Sequence, residues 1–565
     1  MSPSFDLLIR GGTLVDGTGA PGRPGEVGVR DGRIAALGAT GSLGDDAARV
    51  LDAGGAVVCP GFVDVHTHYD AQVLWDRMLS ISPWHGVTTV VMGNCGFGVA
   101  PTRPEHRDLM MRTLENVEGM ALDALRAGLG EDWPFQGFPS YLDAVEARGV
   151  ALNVGALVGH TPVRTFVMGE DAVAREADEA EVAAMRRLVD EALEAGALGF
   201  ATSKAPTHVG YGGHPVPSRA ASVDAEILEL AGALGAAGRG VFQATIGPGL
   251  FLDQFETIAR RTGRPVSWTA LLAGIFGPEG HRLFLERCRK LQEEGAPVHP
   301  QVTGRPLMME FALKAPFPLE SLPCMKPVSA ADREGKKALY ADPDFRRALR
   351  EEIDQGVFTK RWRSMRLSAF PPDPSLEERP LEELAEARGA DPLDALLDLS
   401  LESDLEARFR LAATNVDEEI VAELLVHPAA MLGLSDAGAH ASQLCDAGAS
   451  THLLGHWVRE KGVLPLEEAV RKLTTEPAEV FGIRDRGRLA EGLAADLCVF
   501  DPDTVACGPL RRVWDLPGGA DRLVADALGV RAVVVNGVPV REQGRDAVAP
   551  DGALPGRVLR GGAAS

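Results

Sequence analysis

The residues of this chain best suited to chemistry are two histidines one residue apart, His66 and His68, closing the run Pro60-Gly61-Phe62-Val63-Asp64-Val65-His66-Thr67-His68. The apolar run reads as a buried strand, and side chains two apart on a strand point the same way. Both imidazoles can therefore aim at one ion. Cys95, in HGVTTVVMGNCGFG, follows a second strand-like run and stands among glycines, where backbone can approach a ligand closely. A thiolate is a good zinc ligand; the blander role for such a residue is a small buried cysteine. Asp436, in MLGLSDAGAH, follows another run. A carboxylate at a strand end can ligate a metal and take a proton from water, or it can cap a helix, since Ser435 and Asp436 are both capping types. These residues make His66, His68, Cys95 and Asp436 the candidate metal ligands and Asp436 the candidate catalytic carboxylate.

Several basic residues are candidates for gripping an anionic substrate. His160 ends GALVGH, the Gly/Pro-rich stretch SKAPTHVGYGGHPVPSR carries Lys204, His208, His214 and Arg219, Arg305 follows another strand-like run, and His440 lies four residues after Asp436. A loop at a strand end can hold a carboxylate with such groups. A satisfied structural histidine and a solvated polar loop are the competing readings.

The elements that must position these residues read as short apolar runs alternating with helices. The runs are 61–66, 87–93, 151–160, 197–203, 240–247, 265–274, 296–304 and 430–440, with a helix pattern at 176–196 that has acids early and arginines later. Strand–helix alternation implies parallel βαβ units, and eight such runs would close a TIM-type (β/α)8 barrel, whose active sites sit at the C-terminal ends of the strands. Residues 306–400 break the rhythm with Pro-rich and charged stretches and read as an insertion over the barrel. Residues 1–59 and 485–550 share a texture of short strands and tight turns, which predicts one small β-sandwich domain formed from both chain termini around a hydrolase segment at 60–484. The Gly/Ala-rich stretch 551–565 reads as a loose tail.

Bulk properties narrow the function classes. A formal net charge of −23 argues against a nucleic-acid binder, which needs a basic surface. No run approaches the roughly 20 apolar residues of a membrane helix, and the opening residues lack the pattern of a signal peptide. Seven scattered cysteines in 565 residues do not read as a disulfide framework. The expectation is a cytoplasmic enzyme with a small-molecule substrate, no nucleic acid and no membrane.

The opening LLIRGGTLVDGTG, the PGFVDVHTH strand and the closing GRLAEGLAADLCVFDP together resemble the amidohydrolase superfamily. GVTTVVMGNCGFG, LVGHTPVR, ALGFATS and GLSDAGAH are similar to its N-acyl-D-amino-acid deacylase (D-aminoacylase) branch. The resemblance implies a TIM barrel with a β-sandwich, a homo-oligomer, and zinc-activated water attacking an amide carbonyl with an aspartate moving the proton. His66 and His68 match the first-strand ligands, Cys95 the cysteine ligand of that branch and Asp436 the last-strand aspartate. The family's histidines on the fifth and sixth strands have no counterpart: the fifth reads VFQATIG, with Gln243 or Thr245 in place, and the sixth VSWTALLAG, with Trp268 and Thr269. Three arrangements stay open. One metal may be held by His66, His68 and Asp436 with or without Cys95; His208 or His214 may replace the lost ligands; or a carbamylated Lys204 may bridge two metals. The cofactor is thus one or two zinc ions or another divalent metal. The implied reaction is hydrolysis of a carboxylate-bearing amide, most simply an N-acyl-D-amino acid. Another amide, a cyclic amide or a small peptide is the rival substrate, and a non-catalytic ligand-binding homologue the rival function.

Overall fold

The computed structural model describes residues 4–564 except 315, 317, 318, 320, 321, 356–361 and 440–446. The chain divides into two compact units, one built from the segments up to Arg305 and from Asp417 onward, the other from Pro306–Val416.

The first unit opens with five strands, β1 (Leu7–Leu14), β2 (Arg23–Arg30), β3 (Arg33–Gly38), β4 (Val50–Asp52) and β5 (Val57–Pro60). Seven more follow: β6 (Phe62–Asp64), β7 (Val87–Met92), β8 (Asn153–Gly159), β9 (Gly199–Ser203), β10 (Val241–Thr245), β11 (Val266–Thr269) and β12 (Val298–Val302). The second unit contributes β13 (Leu307–Ala312), β14 (Arg366–Ala369) and β15 (Arg408–Thr414). The first unit resumes with β16 (Met431–Leu432), β17 (Leu497–Phe500), β18 (Ala506–Val513), β19 (Arg522–Leu528), β20 (Val530–Val535), β21 (Val538–Glu542) and β22 (Arg545–Asp546).

Eight strands form a parallel sheet in the order β16-β12-β11-β10-β9-β8-β7-β6, one from each of the eight apolar runs. β7 and β8 are buried along their whole length, as strands covered on both faces must be. The chain beyond β16 returns to the chain beyond β6: Thr67 bridges Ala437 in parallel, Asp436 N–H donates to His66 O at 3.1 Å, and His68 N–H donates to Ala437 O at 2.8 Å. The helix expected at 176–196 spans Glu179–Ala195. Asp178 accepts from the Glu181 amide while the Glu181 carboxylate accepts from the Asp178 amide, so two otherwise unpaired donors are satisfied at once.

The two ends of the chain pair in one nine-stranded sheet, ordered β22-β21-β20-β17-β5-β1-β2-β3 with β4 beside β1. β18 and β19 stand apart as a separate ribbon. The stretch expected to be a loose tail is ordered instead. Gly556 bridges Val150 and Val558 bridges Val154 at the start of β8, Arg557 O accepts from the Val154 amide, and Leu559 is buried among Val63, Val91, Leu157, Leu198 and Val241. Glycine and alanine permit this docking, because small residues let the chain lie close against the strand ends.

The second unit has its own core, centred on Phe311, Tyr340, Leu349, Leu396 and Phe409. It runs to Val416 rather than to 400 because β15 pairs antiparallel with both β13 and β14. Among the described residues no helix is long and apolar enough to cross a membrane.

Two stability measurements follow. Leu559→Ala should lower the unfolding free energy by about 2–5 kcal/mol, as other buried leucine truncations do. Trp514→Ala, at a site 68% exposed, should change it by less than about 0.5 kcal/mol. Urea unfolding reads both, and an equally small effect at Leu559 would mean that the docked tail lies outside the cooperative core. The second concerns His85, which is fully buried, pairs with Thr451 Oγ1 at 2.7 Å and Ala525 O at 3.0 Å, and is held down to about 4 by burial and by the charges of Arg305 and Arg541. The unfolded chain takes this proton near 6.5 while the folded protein refuses it. The stabilisation is therefore complete above that value and is lost as pH falls from about 6.5 towards 4. Melting temperature against pH should be flatter over this window in His85→Gln than in the unaltered protein.

Candidate metal centre

The centre is built where the chain leaving β6 meets the chain leaving β16. Period-two geometry turns His66 and His68 to one side, and their rings lie 5.3 Å apart, edge to face. Asp436 Oδ1 stands 3.1 Å from His66 Nε2 and 3.6 Å from His68 Nε2. Cys95 Sγ is 3.4 Å from His66 Nε2, and donor atoms of His66, His68 and Cys95 all lie within 4.8 Å of one another. A tetrahedral ion with bonds of about 2.0–2.3 Å sets its donors roughly 3.3–3.8 Å apart, so these spacings suit a first-row divalent metal. The donor set, two imidazoles with a thiolate and a carboxylate, suits zinc in kind as well.

Backbone conformation delivers two of the four groups. Cys95 has φ 56°, in the left-handed region that disfavours ordinary side chains. The glycines around it allow this: a Cβ on Gly93 would sit 2.2 Å from Leu157 O, and one on Gly96 2.8 Å from Thr202 Cα. The loop is thus pressed onto β8 and β9, and Cys95 must turn inward. Asp436 also adopts positive φ, 44°, a conformation that Asp tolerates better than most residues. Ser435 Oγ donates to His66 O at 3.0 Å and fastens the same turn.

The four groups alter one another's proton affinity. Burial opposes charge on His66, yet Cys95 and Asp436 raise it to about 10. Burial likewise opposes charge on His68, and Glu118, Asp436 and Cys95 push it well above its ordinary value. Burial works against the Cys95 thiolate, but the two imidazoles bring it down to about 7, and they hold Asp436 well below the carboxylate range against its own burial. Protons stand here where a divalent cation would balance the same two anions.

A belt of polar side chains supports the donors. His66 Nδ1 lies 2.7 Å from Gln301 Oε1, and Gln301 Nε2 donates to Ser267 Oγ at 2.8 Å, which leaves His66 Nε2 for the ion. The Cys95 amide donates to Gln243 Oε1 at 2.7 Å, and Gln243 Nε2 is a buried donor without a partner in the structure. Burial raises Asp64, which accepts from the His66 amide at 3.2 Å, to about 6. The fifth- and sixth-strand positions are filled by a threonine pair: Thr245 and Thr269 are in register, and Thr269 Oγ1 donates to Thr245 Oγ1 at 3.1 Å. Trp268 faces the other way and stacks on Phe255 at 6.3 Å.

The remaining sequence candidates fall elsewhere or serve the scaffold. His160 is fully buried and lies 2.8 Å from both Thr202 Oγ1 and Glu226 Oε1, with Arg164 on the other Glu226 oxygen. This is a satisfied structural histidine. Lys204 Nζ donates to Arg219 O and Ala221 O, each at 2.7 Å. An ammonium held by two carbonyls does not fit the carbamylated bridging arrangement. Arg219 Nη1 donates to His208 O at 3.1 Å and braces the same loop. His214 is exposed. Arg305 Nη1 lies 3.4 Å from Cys507 Sγ on β18. His208 is the exception. Its ring lies 5.0 Å from Phe97, which lies 6.4 Å from His68, and its Nδ1 is 2.6 Å from Ser203 Oγ. His440 lies outside the described residues. Sequence reasoning placed Gln243 on the fifth strand without a role, and missed Gln301, Asp64 and Glu118. Asp64 sits two residues before His66, so period two could have flagged it, and Gln301 lies within the seventh apolar run, near the end of β12; Glu118 carries no local signal.

Comparison with known proteins identifies the family of the chain. The model of the amidohydrolase family matches residues 49–314 and 356–541; the unmatched stretch falls within the second unit. A D-aminoacylase from Alcaligenes xylosoxydans xylosoxydans is 32% identical over 96% of this chain and 96% of its own. A D-aminoacylase structure determined to probe its binuclear metal centre superposes with a TM-score of 0.67 and 30% identity, covering 98% of this chain and 100% of that one. The N-acyl-D-glutamate deacylase of Bordetella bronchiseptica, solved with zinc and a phosphonate mimic of the tetrahedral intermediate, gives 0.66 and 30%, covering 98% and 99%.

Removing any one of the converging donors should cost metal. His66→Ala and Cys95→Ser are each expected to reduce zinc in the purified protein from about one equivalent per chain to well under half, measured by elemental analysis after passage over a weak chelator. Full retention in both variants would place the metal elsewhere.

Proposed function

Because the chain belongs to the amidohydrolase family and is a metal-dependent hydrolase of carbon–nitrogen bonds other than peptide bonds, we propose that it removes the acyl group from N-acyl-D-amino acids. The observation that carries this reading is the cluster of His66, His68 and Cys95, with Asp436 against both imidazoles, in a chain alike over nearly its full length to a D-aminoacylase. We read the eight-stranded sheet as a TIM-type (β/α)8 barrel, supported by the backbone bonds between Asp436 and His66 and between His68 and Ala437. The nine-stranded sheet is read as the main layer of a β-sandwich formed from both termini, supported by the pairing of β5 with β17.

The four residues would hold a single divalent ion, zinc by donor type. The threonine pair at Thr245 and Thr269 offers no imidazole for a second one. When bound, such an ion supplies Lewis acidity, polarising a carbonyl and bringing the pKa of water down towards about 7. The protein's own part lies chiefly with Asp436. Its carboxylate, kept ionised by the two imidazoles, can accept a proton from the attacking water and pass it to the departing nitrogen. The amide and one water thus become a carboxylate and a free amino acid. His208, tilted against Phe97, which in turn lies against His68, borders the same space and is the basic side chain best placed to meet the substrate. The six described cysteines are all free, which suits a reducing compartment.

Asp436→Asn should lower kcat by about 10²–10⁴-fold, the usual worth of general acid–base catalysis. With the unaltered protein, N-acetyl-D-amino acids should be hydrolysed and their L-forms left intact, read by release of the free amino acid. Activity confined to cyclic amides, or to L-substrates, would overturn the proposal.

A further inference from the structure

Glu118 is a residue that its own helix does not explain. It ends the helix Arg107–Glu118, where a carboxylate faces the negative end of the helix dipole. It is also only 5% exposed. A buried anion at that end of a helix is unfavourable unless something positive compensates it. Its Oε1 stands 3.1 Å from His68 Nδ1. Both buried atoms lack a well-aligned hydrogen bond to any described residue, each other included, so the two stand in ion-pair contact with no competing partner. Of the other acids near His68, Asp436 stands on the Nε2 side and Asp70 is occupied by the Gly93 amide at 3.1 Å.

We propose that Glu118 is a positioning residue for the metal centre: its carboxylate takes the Nδ1–H of His68, fixes the ring so that Nε2 is the ligand atom, and strengthens that nitrogen as a donor. The two histidines are then anchored differently. His66 leans on the neutral amide of Gln301 and His68 on a full negative charge. A carboxylate behind an imidazole makes it a better ligand than an amide does, so His68 gains most from the ion and loses most when its partner is neutralised. Glu118 lies more than 20 residues beyond Cys95, at the end of its helix, and nothing in the sequence around it resembles a metal motif. The inference rests on the metal-centre reading above.

The test is zinc affinity, measured by chelator competition on the full-length protein, with the visible spectrum of the cobalt(II)-loaded form as a second readout. Glu118→Gln keeps an acceptor and removes the charge; it should weaken zinc binding about 10-fold and alter the cobalt spectrum. Glu118→Ala removes both and should approach about 100-fold. Thermal unfolding of the metal-free variants, read in parallel, checks that both fold, so that a loss of zinc affinity in a folded protein reports on the centre. Zinc affinity and cobalt spectrum unchanged in both variants, with the unaltered protein binding metal tightly, would overturn the proposal. If the unaltered protein bound neither metal, the metal-centre reading would fail first and this one with it.

Discussion

Two backbone hydrogen bonds, Asp436 N–H to His66 O and His68 N–H to Ala437 O, govern the geometry of everything else in the centre. They join the first and last strands of the parallel sheet just past their ends. Through them Asp436, distant in sequence, faces both imidazoles. The positive φ of Asp436 and the clasp from Ser435 serve this one junction. If the junction slipped by one residue, the Asp436 carboxylate would no longer face both imidazoles.

Within the sheet, polar side chains replace the apolar filling expected of such an interior. Gln301, Ser267 and Gln243 form a neutral belt beneath the donors. They orient ligands without adding charge. The Thr245–Thr269 pair adds two more hydroxyls at the ends of β10 and β11. The result is a centre with a single set of strong donors. Its electrostatics are correspondingly simple: two imidazoles lie among a thiolate and two carboxylates, and each shift in proton affinity is traceable to one of these neighbours.

The periphery follows the same economy of contacts. The nine-stranded sheet draws together strands from both ends of the chain, and the C-terminal residues beyond it dock Leu559 against the interior cluster. The second unit carries an independent core and an independent three-stranded sheet.

Sequence alone determined the local and periodic features. The eight strands were legible because buried parallel strands are continuous apolar runs, and His66 and His68 were legible because a period of two aligns neighbouring side chains without reference to the rest of the fold. Cys95 and Asp436 stood out by residue type after such runs. What the tertiary structure decided was every relation between distant segments. The contact of Glu118 with His68, the pairing of Gln301 with His66 and the union of the chain ends depend on which surfaces meet, and no local pattern encodes a meeting. The same limit explains the misread residues. Lys204 and His160 are basic groups at strand ends, as ligand-binding residues often are, and only the carbonyls and the Glu226 carboxylate around them turn them into struts. The tail looked loose because glycine and alanine carry little side-chain information; its order comes from backbone hydrogen bonds and one leucine finding a partner surface made by strands far away in sequence.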